Sequence, residues 1–397
     1  MRQAVILVGG RGTRLGDLAK NTPKPLMPID GDTRFLDYLI DNLARHGVQE
    51  VLLVAGHLGE LVEERYQGAR FRDCVVSCVR EPEAAGTAGA LLHVADRLDP
   101  VFLMSNGDSF FDFNYLALKP ALGENDVAAL ALRRVDDARR YGAVFAEEGR
   151  VRRFEEKNPD ANGPAWISGG VYMVRREILD LIKTSPCSIE SDIFPQLAAA
   201  DRLACANFDG YFLDIGLPDT LEQGRREMPV HTRRAAVFFD RDNTLNVDEG
   251  YTHRPQDLVW MPGAVEAVRA VNDSGRLAIV VTNQSGLARG LYDEAAMHAF
   301  HRHMQNELAA VGAHIDAFYF SPYHADAVVE DYRHADHPDR KPNPGMLKRA
   351  CAEWRIDLDR SIMIGDQPSD VTAAEAMGVE GRLYDGGDLA ALVVPRA

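Results

Sequence analysis

The 397 residues contain no apolar run approaching the ~18 that a membrane-crossing helix requires. The chain opens on "RQAVILVGG", whose apolar stretch of about five residues is too short for a secretory core. Cysteine is sparse: Cys74, Cys78, Cys187, Cys205 and Cys351 are odd in number, and no two stand at CxxC spacing. That argues against a disulfide scaffold and reads as free thiols in a reducing compartment, with a Cys74/Cys78 pair left open. Positive charge is in deficit, since 44 Lys and Arg against 60 Asp and Glu give a formal charge of −16. Such a chain repels nucleic acid and anionic membrane unless its basic residues are strongly clustered. Internal repeats and low-complexity tracts are also missing. The expectation is a cytoplasmic protein acting on small molecules, with no nucleic-acid or membrane partner and with homo-oligomerisation left open. An anionic substrate stays compatible, because local Arg and Lys can reverse the field inside one cleft.

What is present is ordinary for a globular protein, 46% hydrophobic and 26% charged. The length exceeds what one core usually supports, so two domains are expected. Short β-branched runs alternate with amphipathic stretches: "AVILV", "FLDYLIDNLARHG", "EVLLVA", "GTAGALLHVADRL", "PVFLMS". The same grammar returns at "AAVFF", "GAVEAVRAVNDSG", "LAIVV", "EAAMHAFHRHMQNELAAVG" and "SIMIG". Alternation of this kind implies parallel sheets with helices on both faces, hence two tandem Rossmann-like three-layer α/β domains. The polar, Pro-containing stretch "GRREMPVHTRR" reads as the connection. The boundaries are placed at 1–228 and 235–397, with 229–234 as linker.

In "VILVGGRGTRLGDLAKNTPKPLMPI" a strand runs into Gly9, Gly10 and Gly12, where backbone N–H groups can turn toward phosphate oxygens, with Thr13, Arg14 and Lys24 close by. GGxGTRL followed by PKPL resembles the signature of sugar-1-phosphate nucleotidyltransferases. The resemblance extends over about 225 residues through "GTAGAL" with Gly86, "NGDSFFD" with Asp108, "RRYGAVF" with Gly142, "FEEKN" with Glu156 and Lys157, "SGGVYMV" with Gly169 and Gly170, and "FLDIGLPD" with Asp214. It implies that Asp108 and Asp214 hold Mg²⁺, that Arg14 and Lys24 neutralise the leaving pyrophosphate, and that Lys157 fixes the attacking sugar phosphate. Joining two polyanions needs positioning and charge neutralisation rather than a protein nucleophile. "NGDSFFDFN" is most similar to the heptose 1-phosphate guanylyltransferase branch, while the residues alone leave the nucleobase open.

The second constellation starts at "FFDRDNTLN", where Asp240 and Asp242 follow a strand and point the same way, because strand side chains repeat with period two. "VVTNQSG" with Thr282 and Asn283, "RKPNPG" with Arg340 and Lys341, and "MIGDQPSD" with Asp366 and Asp370 follow in order. The set resembles the haloacid-dehalogenase-type phosphatases. It implies an aspartyl phosphate on Asp240, Asp242 as general acid and base, Asp240, Asp242 and Asp366 about Mg²⁺, Thr282 and Lys341 on the phosphate, and Asp370 supporting the loop. The intervals between motifs are too short for a large cap, so a capless fold is expected. "RDNTLNVDEGYTHRPQDL" and "TNQSGLARGLY" are similar to heptose 1,7-bisphosphate 7-phosphatases, in which Arg289 and Arg340 would face the substrate.

Relatives of that kind commonly hold zinc with Cys-x-His and Cys-x-Cys; Ser321, Tyr323, His337 and Asp339 occupy the matching positions, so no structural zinc is expected. His324, His334 and His337 are read as loop histidines, and His298, His301 and His303 as a solvated helix face. Asn243 and Gln367 stand where relatives often have Gly and Lys. Together the two resemblances imply consecutive steps on heptose phosphates with an NTP. The alternatives are a hexose 1-phosphate nucleotidyltransferase joined to a phosphatase of another substrate such as histidinol phosphate, a non-catalytic nucleotide-sensing first domain, and a sugar-phosphate binding protein.

Overall fold

The structure, a computed structural model, describes residues 2–10, 12–137, 139, 141–155 and 163–394. The chain divides into two compact units, Met1–Val230 and His231–Ala397. Among the described residues no helix is long and apolar enough to cross a membrane.

The first unit is built on a ten-stranded sheet. Its parallel heart consists of Val101–Asn106, Gln3–Val8, Glu50–Ala55 and Cys74–Arg80, neighbours in that order. Alternate residues of the first strand feed different cores. Ala4, Ile6 and Val8 pack with the helix Phe35–Arg45, while Val5 joins Leu52, Val54 and Met104 under Leu91 and Val94. A doubly covered sheet of this kind needs apolar residues on both faces of each strand, which the near-continuous "AVILV" and "VLLVA" provide.

The sheet is mixed rather than parallel throughout. Ala165–Arg175 runs antiparallel to both Val101–Asn106 and Ala128–Val135. The reason is visible between those elements. A hairpin, Ala143–Glu147 with Arg150–Glu155, stands where a parallel return would need a crossover helix.

The expected linker is also different. The helix Pro218–His231 continues through much of it, with Leu221, Gly224 and Met228 buried. Their spacing of three and four residues is a helical stripe, but a glycine in the middle makes it hard to read as apolar.

The second unit carries a five-stranded sheet, parallel throughout, in the order Ala317–Ser321, Leu277–Asn283, Ala236–Phe239, Ile362–Gly365, Glu380–Leu383. Val237 and Phe239 face Phe300 and Met304 of the helix Glu294–Ala310, and Ala236 and Phe238 face Met346 and Leu347 of Gly345–Glu353. Three adjacent strands therefore deliver their C-terminal ends to one edge. Phe238 is fully buried. Phe238→Ala is expected to cost about 3–5 kcal/mol in chemical denaturation followed on the second unit, whereas a loss below ~1 kcal/mol would mean that this face is loosely packed.

Candidate active sites and family

In the second unit, Asp240 directly follows Ala236–Phe239, and its N–H donates to the Ile364 carbonyl (2.9 Å), so it continues the sheet edge. Asp366 follows Ile362–Gly365, and Asp370 sits in the first turn of the helix Pro368–Glu375. The carboxylates of Asp240, Asp366 and Asp370 lie within 4.8 Å of one another. Lys341 reaches into this group with its ammonium 2.7 Å from Asp240 and 2.6 Å from Asp370, and it donates to the Val281 carbonyl (2.8 Å). Its backbone is pinned through Asn283, which donates to the Lys341 carbonyl and accepts from the Lys341 N–H, both at 3.1 Å.

Burial alone would depress the Lys341 ammonium, but Asp240 and Asp370 outweigh it and hold it above its ordinary value. Burial also pushes the Asp240 carboxyl up to about 7; Lys341 opposes that rise, while Asp370 and Asp242 add to it. Three carboxylates against one ammonium leave an excess of hard oxygen donors, a set that fits a divalent cation such as Mg²⁺.

Asp242 is arranged differently from its neighbour two residues away. Its carboxylate accepts from Arg241 at 2.9 and 3.0 Å and from Gln284 at 2.8 Å, so it faces those donors rather than joining the three clustered carboxylates. Gln284 also donates to the Thr282 hydroxyl (2.8 Å) and accepts from Tyr292 (2.6 Å), which ties the second motif to the first. Asp240, Asp242, Asn243, Asp248, Tyr251, Lys341 and Asp366 are among the residues lining a cavity of about 220 Å³.

The DxD motif draws attention to its two aspartates, yet the residue between them is fully buried. Arg241 lies against Phe300 and 3.3 Å from the His301 ring. His301 is thus not part of a solvated face: it is buried, stacked on Phe318 at 4.3 Å, and held well below its ordinary pKa by burial and Arg241. His298 is exposed, and His303 pairs with Glu307 at 3.1 Å.

Arg340, next to Lys341 in the chain, donates to the Tyr323 carbonyl (2.9 Å), and burial together with Arg289 lowers its guanidinium. Of the four positions matching zinc ligands in relatives, Tyr323 and His337 stack at 3.4 Å and Asp339 pairs with Arg349 at 3.0 Å, while Ser321 is buried. Asn243 has φ of 56°, a left-handed conformation that Asn tolerates and Gly prefers, which explains its exchange with Gly. Gln367 donates to Asp366 (2.6 Å).

In the first unit, Gly9 and Gly10 leave the end of Gln3–Val8, and Thr13 and Arg14 open the turn Thr13–Ala19. Gly12 has φ of 63°, and a Cβ there would stand 2.7 Å from the Ala19 Cβ, so only glycine fits without displacement. Buried Lys24 places its ammonium 3.1 Å from Asp108. Burial and neighbouring Asp108 raise the Asp214 carboxyl, against the Gly216 N–H, Lys24 and Arg14. Asp108, Asp214, Lys24 and Arg14 thus share one field. Gly86 starts the short helix Gly86–Gly89, Gly142 precedes Ala143–Glu147, and Gly169 and Gly170 lie where the register of Ala165–Arg175 shifts. Glu156 and Lys157 lie outside the described residues.

A nucleotidyl transferase family profile matches residues 3–229, and a HAD-hydrolase-like profile matches residues 339–392. The chain therefore belongs to two families in tandem, nucleotidyl transferases and then HAD-like phosphatases. The nucleotidyl transferase domain is 35% identical to a D-glycero-alpha-D-manno-heptose 1-phosphate guanylyltransferase of Campylobacter jejuni, over 55% of this chain and 96% of that one. It is also similar to the crystal structure of HddC from Yersinia pseudotuberculosis, with TM-score 0.52 and 26% identity over 57% of this chain and 100% of that one. The HAD-like domain is 42% identical to a D-glycero-beta-D-manno-heptose-1,7-bisphosphate 7-phosphatase of Rhodopseudomonas palustris, over 40% of this chain and 87% of the relative.

With the Asp240 carboxyl near 7, a cation entering the HAD-like cluster competes with a proton below that pH. Mg²⁺ affinity measured by calorimetry is expected to weaken up to about tenfold per pH unit below 7 and to level off above 8, with proton release on binding. Affinity independent of pH between 5.5 and 8 would contradict this account of Asp240.

Proposed function

We propose that the HAD-like domain removes the 7-phosphate of D-glycero-D-manno-heptose 1,7-bisphosphate and that the nucleotidyl transferase domain joins the resulting heptose 1-phosphate to a nucleoside monophosphate, GMP from GTP. The observation that carries the phosphatase half is Lys341 bridging Asp240 and Asp370 beside Asp366, with Asp242 one strand step away. For the pair, the support is that relatives of the two domains are named for the same sugar. In this reading the substrates are small phosphorylated molecules, Mg²⁺ is the cation of both sites, and the enzyme works in the cytoplasm.

In the phosphatase, a carboxylate oxygen of Asp240 attacks phosphorus and the bond to the sugar oxygen breaks. Asp242 gives that oxygen a proton, then takes one from the water that cleaves the aspartyl phosphate. Arg241 and Gln284 position Asp242, and Lys341 and Thr282 hold phosphoryl oxygens. Held by Asp240 and Asp366 with Asp370 beside them, Mg²⁺ would offset the charge of the phosphate. Arg289 and Arg340 face the phosphate that stays.

In the nucleotidyl transferase, a phosphate oxygen of heptose 1-phosphate attacks the α-phosphorus of the nucleotide and pyrophosphate leaves. Gly9, Gly10, Gly12 and Thr13 cradle the nucleotide phosphates, and Arg14 and Lys24 neutralise the departing group. Lys157 and Glu156 hold the sugar phosphate, Gly86, Gly142 and Gly170 give the substrates close access, and Asp108 and Asp214 would hold Mg²⁺.

Two variants separate the halves. Asp240→Asn is expected to lose phosphate release by about 10³-fold or more while pyrophosphate release from heptose 1-phosphate and GTP continues; Asp108→Ala is expected to do the reverse. Loss of both activities in either variant, or retention of phosphate release in Asp240→Asn, would overturn the assignment of roles.

A further inference from the structure

The helix Glu294–Ala310 carries a buried polar side chain, His301, that has no part in the phosphoryl transfer set out above. The ring lies on Phe318 of the edge strand Ala317–Ser321, with centroids 4.3 Å apart and planes 12° apart. A ring stacked in this way inside a packed core has little freedom to turn. Its Nε2 stands 3.3 Å from Nη1 of Arg241, sixty residues earlier in the chain. Arginine has only donors to offer, so Nε2 accepts and the ring proton sits on Nδ1. Burial and the guanidinium keep the ring neutral, which this role requires.

Arg241 is held at three points. Its Nε and Nη2 grip the two carboxylate oxygens of Asp242 at 2.9 and 3.0 Å, Nη2 also donates to the Thr252 carbonyl (2.9 Å), and Nη1 donates to His301. Phe300, the residue before His301, lies against the guanidinium, its ring centroid 5.0 Å from the guanidinium carbon. The grip on Asp242 does not by itself fix the fork, because Asp242 is the next residue in the chain and the two can swing together. Thr252 belongs to a loop. Of the three partners, only His301 stands on a regular element, a helix of 17 residues, and it is braced in turn by a strand of the sheet. A planar guanidinium tied at both ends passes that rigidity on to the carboxylate it grips.

We infer that His301 is a positioning residue of the phosphatase, which through Arg241 fixes the direction in which Asp242 presents its proton to the departing sugar oxygen. This deepens the phosphatase reaction proposed above and rests on the acid-base role given there to Asp242. In that step a bond forms between an Asp240 oxygen and phosphorus, the bond from phosphorus to the sugar oxygen breaks, and the Asp242 proton goes to the sugar oxygen. Asp242 is left as an anion, which Arg241 and Gln284 stabilise as donors. Transfer requires the acid to stand within hydrogen-bond reach of that oxygen, and a carboxyl free to wander meets the condition less often. The consequence is selective. Loss of the His301 acceptor harms those leaving groups that need a proton. A sugar alkoxide needs one, whereas nitrophenolate, whose charge spreads into its ring, departs without it.

The test uses the full-length protein with Mg²⁺ and compares kcat/KM for heptose 1,7-bisphosphate and for p-nitrophenyl phosphate, since this constant covers the steps up to departure of the leaving group. His301→Phe keeps a ring for Phe318 and loses the acceptor. It is expected to lower kcat/KM for heptose 1,7-bisphosphate about 10- to 100-fold and that for p-nitrophenyl phosphate less than about threefold. His301→Gln offers a carbonyl oxygen to Nη1 and is expected to restore the heptose value to within about fivefold of wild type. Asp242→Asn in the same assay sets the reference and should show the same split between the two substrates, only larger. Equal losses on both substrates in His301→Phe, no loss on either, or a His301→Gln variant no better than His301→Phe would overturn the role of His301 and leave the phosphatase reading standing. Equal losses on both substrates in Asp242→Asn would overturn the acid role of Asp242 and this inference together, as would a wild-type protein that releases no phosphate from heptose 1,7-bisphosphate.

Discussion

Each of the two sites depends on a buried lysine set among carboxylates. Lys341 lies between Asp240 and Asp370, and Lys24 lies against Asp108 with Asp214 close by. An ammonium taken out of water is costly unless paired, and so is a carboxylate. Collecting them in one place lets each offset part of the other's desolvation, while the carboxylates stay in excess. That excess is what a divalent cation and then a phosphate can complete. The strands on either side exist, in this respect, to bring those few groups to one edge: three adjacent parallel strands in the second domain and four in the first.

The same constraint explains why two phosphate-handling sites sit on one chain without duplicating each other. In the mechanism we propose, the HAD-like domain uses Asp240, whose carboxyl is raised by burial, as nucleophile and Asp242, held apart by Arg241 and Gln284, as its acid-base partner. The nucleotidyl transferase domain has a glycine loop and fixed cations, which suit charge neutralisation without a covalent intermediate. Hydrolysis of one phosphate yields the acceptor for the other reaction. Carrying both domains on one polypeptide supplies them in equal amounts, and nothing more is needed to account for the arrangement.

Much of this was legible from residue spacing. Period two in "FFDRDNTLN" puts Asp240 and Asp242 on one side, and the strand–loop grammar around Thr282 and Asp366 sends them to the same edge because parallel strands end together, whereas Lys341 reaches that edge from a long loop pinned through Asn283. Long-range placement was not legible. The antiparallel course of Ala165–Arg175 depends on a hairpin taking the place of a crossover, which local patterning does not announce. His301 had a usable signal, since it lies four residues after Met297 and between Phe300 and Met304 on the apolar stripe, but three histidines close together suggested a wet face.

The central claim is that one chain performs the two reactions in a fixed order on one sugar. Phosphorus NMR of a single sample containing the protein, Mg²⁺, heptose 1,7-bisphosphate and GTP reads this directly. The account predicts loss of the 7-phosphate signal with growth of inorganic phosphate, followed by pyrophosphate and the paired signals of a sugar nucleotide that carries no 7-phosphate. Loss of the 1-phosphate first, or a sugar nucleotide that retains its 7-phosphate, would contradict it.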